Sequence, residues 1–355
     1  MMLLFDPDPP FVRRYSFERN VSVEHTQRYT PEWFRNESDS MKSKKVEAIG
    51  YLLYHGGEEI TEPSKLLSQA YLSKVENCVR FLPDQNEMTL RIARYWMKEF
   101  PEIPHVLLCD TALFAHLPAE ASTYAIPYQL REDGIRRYGG DGLCHQWGWE
   151  QICGLKTKSY KRAVSIHLGN QTNIAALKNG KAVETTIGFT PIEGIISSNG
   201  CGDIDTAIVL QLISAGMSLE EINQTLSRDG GFTGLSDKRC KLIDILKQNN
   251  SDQNNFIREL FSYQILKYIG AFISVLGGVD AIVFICDYVD ESNELIEEIC
   301  RSLDFLHLKK REKVKASHSY WIFTGNNSEV DVFCFKYDKL KILEKKLINL
   351  ITKEL

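Results

Sequence analysis

Residues 163–206 read AVSIHLGNQTNIAALKNGKAVETTIGFTPIEGIISSNGCGDIDT, and no other stretch constrains the fold as tightly. Runs 164–167 and 174–177 have strand character, and Lys178-Asn179-Gly180 supplies a turn, so the segment reads as a hairpin. Gly169 and Gly202 read as turn residues, and Asp203 as the cap of a helix over 204–215. Ser218 followed three residues later by Glu221 is a capping-box pattern that starts another helix over 218–226.

Working outward, the C-terminal side alternates elements. A long amphipathic helix over 256–276 leads to Gly277-Gly278, followed by a strand over 280–286 and a helix over 293–303. A last strand over 329–335 and a helix over 339–350 complete it. On the N-terminal side, 105–109 is a compact apolar strand, 90–100 is helical, and 46–54 is a strand ending in His55-Gly56-Gly57. Residues 1–45 are polar and interrupted by Pro7, Pro9, Pro10 and Pro31, so only short strands near 1–5 and 11–17 are expected. Hairpins early in each half with helices later indicate a mixed α/β chain of two related domains, 1–160 and 161–355. No internal sequence repeat is visible.

Composition sets the class. At 355 residues the chain is long enough for two cores, and its 43% apolar and 25% charged content is that of a globular protein. A net charge of −5 argues against nucleic acid or an anionic membrane as partner. The nine cysteines form no CxxC pair, and their odd number fits reduced thiols in a cytoplasmic setting. No apolar run approaches the roughly 20 residues that span a bilayer. The start, MMLLFDPDPP, lacks the basic and apolar regions of a signal peptide.

Several motifs occur in order. They are His55-Gly56-Gly57-Glu58 with Thr61-Glu62-Pro63, then Asp110-Thr111-Ala112, then Tyr124–Tyr128 with Gly134-Ile135-Arg136-Arg137-Tyr138-Gly139. His167-Leu168-Gly169-Asn170, Asp203-Ile204-Asp205 and the run GGVDAIVF at 277–284 follow. From about Val46 onward this set resembles the acetate kinase family, and more loosely propionate and butyrate kinases. The resemblance implies the sugar kinase, Hsp70 and actin fold, with two ribonuclease-H-like domains and a cleft between them. It also implies phosphoryl transfer between ATP and a carboxylate with magnesium, and a homodimer formed through the C-terminal domain.

Position by position, the family's chemistry is only partly present. Asp110 matches its active-site aspartate, and His167, Leu168, Gly169, Asn170, Gln171 and Asp203 match the loops that handle nucleotide and phosphate. Leu52 stands where the family has a substrate-facing arginine, and Leu cannot bind an anion bidentately. Asp141 stands where a histidine contacts the transferring phosphate, and Gly200 where a second arginine lies. The family's first phosphate turn is here Asp6-Pro7-Asp8-Pro9-Pro10, whose prolines offer no N–H. Its adenosine loop, Gly-Gly-Ile-Gly-Glu-Asn, is here Cys286-Asp287-Tyr288-Val289-Asp290-Glu291, with side chains in place of glycines. An Asp-x-Arg at the adenine falls on Lys241 and Ile243, with Arg239 the nearby cation. Asp6 and Asp338 are the candidate magnesium positions.

Phosphoryl transfer depends on positioning and positive charge, and one arginine at the transferring group contributes about 10³–10⁵ in rate. With two arginines and a histidine replaced, the expected reading is a family member that no longer phosphorylates acetate and acts by binding, regulation or assembly. The ligand classes implied are a nucleotide or a small carboxylate. The alternative is an active carboxylate kinase with substitute cations, for which Arg136, Arg137 and His145 are candidates. A third reading is a chain with no remaining role. The retained polar set also has a plain structural reading as satisfied turns and caps.

Overall fold

The computed structural model describes residues 1–18, 21–155, 158–236, 238–247, 252–308, 320–322 and 329–354. Its strands form two sheets, each in its own compact unit: Met1–His116 with Asp338–Leu355, and Leu117–Tyr337.

In the first unit, β1 (Met2–Asp8), β2 (Phe11–Glu18) and β3 (Val21–Arg28) make an antiparallel meander. After them come β4 (Ala48–Leu53), β5 (Ser64–Leu66) and β6 (His105–Cys109). Strand β4 runs parallel to β1, β6 parallel to β4, and β5 antiparallel at the far edge. The order is β3-β2-β1-β4-β6-β5.

The second unit repeats this plan. Strands β7 (Arg162–Leu168), β8 (Asn173–Lys178) and β9 (Lys181–Thr185) form the meander. Strands β10 (Ala281–Cys286), β11 (Tyr320–Ile322) and β12 (Asp331–Lys336) follow. Strand β10 is parallel to both β7 and β12, and β11 is the antiparallel edge strand. Both sheets therefore have the ribonuclease-H-like arrangement expected from the motifs. The duplication is one of topology and left no visible sequence repeat.

Local chemistry explains the elements. Central strands β4 and β10 are buried along their whole length, which is why AIGYLL and AIVFIC read as continuous apolar runs. Asn179 and Gly180 both adopt positive φ, 52° and 78°, in the two-residue turn joining β8 to β9. Helix Leu219–Ser227 has the full capping box between Ser218 and Glu221. Helix Thr206–Ser214 is capped by Asp205, not Asp203. In the first unit, Phe5 stacks on Trp96 of helix Pro83–Glu99 at 5.6 Å, and both are fully buried. Truncating such an aromatic to alanine costs about 3–5 kcal/mol.

Two expectations are corrected. The chain does not divide once at 160/161, because helix Gly142–Gly154 packs on β7 and β10, while the C-terminal helix Lys339–Glu354 packs on β5 and β6. Nor are residues 1–45 limited to two short strands: they supply a three-stranded meander and helix Pro31–Lys42. Among the described residues no helix is long and apolar enough to cross a membrane.

Candidate functional site

Binding groups in open α/β sheets collect beyond the carboxyl ends of the parallel strands. In the second unit that edge carries His167 and Leu168 of β7, Asp287 after β10 and Tyr337 after β12. Backbone bonds from Asp287 N–H to Leu168 O (3.0 Å) and from Tyr337 N–H to Cys286 O (2.9 Å) hold the edge together.

His167 is its centre. Its Nδ1–H donates to Asp141 Oδ2 at 2.9 Å and its Nε2–H to Asp287 Oδ1 at 3.3 Å. The Tyr337 ring lies against the imidazole, with centroids 4.7 Å apart. Burial opposes the charge on His167, but the two carboxylates overcome it and raise its pKa to about 10. For Asp141 burial acts upward, yet the imidazolium and the Asn173 amide hold its pKa down at about 2. Asp141 sits at φ 52° just before helix Gly142–Gly154, a left-handed backbone that Asp tolerates better than most residues.

Behind this pair the bonds continue. The Asn173 amide donates to Asp141, His145 Nε2–H donates to the Asn173 carbonyl oxygen, and the Ser165 hydroxyl donates to His145 Nδ1 at 2.8 Å. Burial pushes His145 down to about 4, so it is neutral near pH 7 and cannot be a substitute cation. Arg137 is engaged too, donating to Glu193 and Glu184, and Arg136 lies over the Tyr138 ring at 5.7 Å.

The remaining residues of the loops have structural partners. Leu168 is in the core. A Cβ on Gly169 would lie 2.8 Å from Asp287 Oδ2 and 3.0 Å from His167 Nε2, so glycine is what allows that carboxylate over the loop. Asn170 accepts from the Ser198 hydroxyl and Leu242 N–H, and Gln171 donates to Pro191 O. Gly200 N–H donates to Ser197 Oγ at 2.8 Å. Asp203 ties its loop together, accepting from Gly194 N–H (2.9 Å) and the Tyr268 hydroxyl. Lys241 precedes helix Leu242–Leu246, and its N–H donates to Asp244, while Arg239 is exposed.

In the first unit, Asp6, Tyr54 and Asp110 lie at or just beyond the carboxyl ends of β1, β4 and β6. Asp6 is fully buried and accepts from Tyr15 (2.9 Å), Tyr54 (2.7 Å) and Lys339 Nζ (2.7 Å), with Arg13 at 3.6 Å. Burial works against its charge, but Lys339 and Arg13 hold its pKa below the ordinary carboxylate value. Asp110 opens a short 3-10 turn whose Thr111 hydroxyl accepts from Gly56 N–H at 2.8 Å. Leu52 is packed in the core at 2% exposure.

Around Asp6, four groups were not singled out from sequence: Arg13, Tyr15, Tyr54 and Lys339. Arg13 was legible in principle, since a β1–β2 hairpin around Pro9-Pro10 pairs it with Asp6. Lys339 and Tyr54 carry no local signal.

Neither Asp6 nor Asp338 is placed to hold magnesium. Both Asp6 oxygens are taken by cations and phenols. Asp338 caps the last helix, accepting from Lys341 N–H at 3.1 Å and pairing with its ammonium at 3.2 Å. Among the described residues no three His, Cys, Asp or Glu side chains are grouped to hold a metal ion. His167 faces two carboxylates, those of Asp141 and Asp287.

Two ribonuclease-H-like units with polar clusters at their strand ends define an α/β protein of the acetate and propionate kinase fold. The acetate kinase of Porphyromonas gingivalis superposes with a TM-score of 0.86 over 99% of both chains at 23% identity. The chain belongs to the Acetokinase family, whose model matches residues 28–343. The acetate kinase of Halothermothrix orenii is 33% identical over 272 residues, 75% of this chain and 68% of that protein. That of Shewanella sp. (strain W3-18-1) is 32% identical over 319 residues, 87% and 79% of the two chains.

Proposed function

We propose that this acetokinase-family chain does not phosphorylate acetate with ATP and acts through binding, as a cytoplasmic homodimer. One observation carries the reading: His167 is neutralised from both sides by Asp141 and Asp287. An incoming phosphate would have to displace a carboxylate already paired with that imidazolium, and would meet the other as a like charge. Leu52 and Gly200 add no positive charge at the positions where the family resemblance puts arginines. ATP or ADP with magnesium, or a short carboxylate, remain the ligand classes to test.

The homodimer part is supported by helix Thr206–Ser214, which buries none of its residues. Ile208, Leu210, Ile213 and the nearby Leu219 are 46%, 65%, 45% and 77% exposed, an apolar surface a second copy would cover.

The test is thermal stability with ATP and magnesium, ADP or acetyl phosphate, beside hydroxamate formation from acetate, propionate and butyrate. A ligand at 100 times its dissociation constant stabilises by about 2.7 kcal/mol. No shift and no hydroxamate are expected. ATP-dependent hydroxamate above background would overturn the reading. It would favour the active alternative, a carboxylate kinase with substitute cations.

A further inference from the structure

Strand β3 is the outer edge of the first sheet, and among the described residues no strand pairs with its far side. Residues 23–28 are all exposed. The bond from Tyr29 N–H to Pro10 O at 3.0 Å fixes the phase of the ladder. Odd-numbered residues turn their N–H and C=O toward β2, so Ser22, Glu24, Thr26 and Arg28 present theirs outward. Among the described residues these outward donors and acceptors have no strand partner, the kind of edge another strand completes.

We propose that β3 pairs antiparallel with β3 of a second copy of this chain, about a two-fold axis at Thr26. Only outward residues can exchange hydrogen bonds, which leaves few registers. A two-fold at Glu24 or at Arg28 sets like charges against each other. One at His25 or Gln27 sets each charge against a neutral side chain. The two-fold at Thr26 sets Glu24 opposite the partner's Arg28, twice by symmetry, with Thr26 against Thr26. On the other face it sets Val23, 39% exposed, opposite the partner's Tyr29, a β-branched residue against an aromatic. Glu24 and Thr26 already share one face, the hydroxyl donating to the carboxylate at 3.4 Å. The charges that discourage indiscriminate pairing of this edge therefore select one register with itself. The contact is separate from the helix Thr206–Ser214 surface and adds a second association step.

The experiment is sedimentation equilibrium of the full chain carrying Leu210→Glu, so that the helix surface is disabled and any remaining dimer depends on β3. This chain is expected to dimerise still. Adding Glu24→Arg sets arginine against Arg28 and should weaken that dimer about tenfold or more. The charge swap Glu24→Arg with Arg28→Glu should restore it, and Thr26→Pro, which deletes an outward N–H, should abolish it. Circular dichroism and melting confirm that each variant folds, since these side chains are exposed. A Leu210→Glu chain that is monomeric at every concentration would overturn the proposal. So would identical association of the Glu24→Arg variant and the swap.

Discussion

Lys339 Nζ lies 2.7 Å from Asp6 Oδ2, although the two residues are 333 positions apart in the chain. The pair fastens the first turn of the last helix to the carboxyl end of the first strand, inside one compact unit. Because Asp6 is fully buried, removing its nearest cation leaves a charge supported only by Arg13 and two phenols. Lys339→Met should cost about 3 kcal/mol, read from urea unfolding. Asp6→Asn combined with Lys339→Met should cost clearly less than the sum of the single changes. Additive costs would mean that the two side chains do not interact in solution.

The His167 clamp gives stability a defined pH dependence. A histidine raised from 6.5 to about 10 in the fold contributes stability that is fully present below about 6.5 and lost as pH climbs through about 10. Asp141, lowered from 3.8 to about 2, contributes above about 3.8, and that is lost as pH falls through about 2. Unfolding free energy should therefore be higher at pH 6 than at pH 10. Asp141→Asn should lower it at pH 6, shrink the difference between the two pH values, and bring the His167 carbon-13 titration down by about 1–3 units. Equal wild-type stability at pH 6 and 10 would contradict the clamp.

How much of this could be read from sequence depends on what each element buries. The run GGVDAIVF was legible because Gly277 and Gly278 adopt positive φ and β10 is buried on both faces. Ser218 and Glu221 marked a helix start because the cap is local chemistry. Strand β3 was missed because its exposed residues carry no burial pattern. Helix Gly142–Gly154 was missed because Gly148 has its place through a close approach to Ile285, where a Cβ would come within 2.5 Å. In the candidate site, Asp141 was visible as an anion in a cation's position. Its effect was not, because Asp287 meets His167 from 120 positions away. The domain boundary failed for the same reason: what binds residues 117–160 and 338–355 to their sheets is distant in the chain.

Restoring the family's cations should succeed unevenly. A Cβ at Gly200 meets only the Ser197 hydroxyl, at 2.9 Å, and that rotor can move. Gly200→Arg should therefore change stability by less than about 1 kcal/mol. Leu52 is 2% exposed, and a guanidinium there would be buried without a built partner. Leu52→Arg should destabilise by about 3 kcal/mol or more, or fail to give folded protein. Urea unfolding of the two single variants decides it. A Leu52→Arg chain as stable as wild type would mean that this position has access to solvent or an anion.

The apolar surface of helix Thr206–Ser214 leads to a prediction about mass. Six of the nine residues of its sequence, TAIVLQLIS, are apolar, yet none of its side chains is buried. A contiguous exposed apolar surface of this kind marks an interaction site. Leu210, 65% exposed, stands on that uncovered surface. Leu210→Glu should remove one association step, halving the limiting mass in light scattering, while the melting temperature of the variant stays within a few degrees of a surface-control variant. The charge lies outside either core, so the cost should fall on assembly and not on folding. If the mass is unchanged by Leu210→Glu and again by Ile213→Glu, this surface does not join two copies.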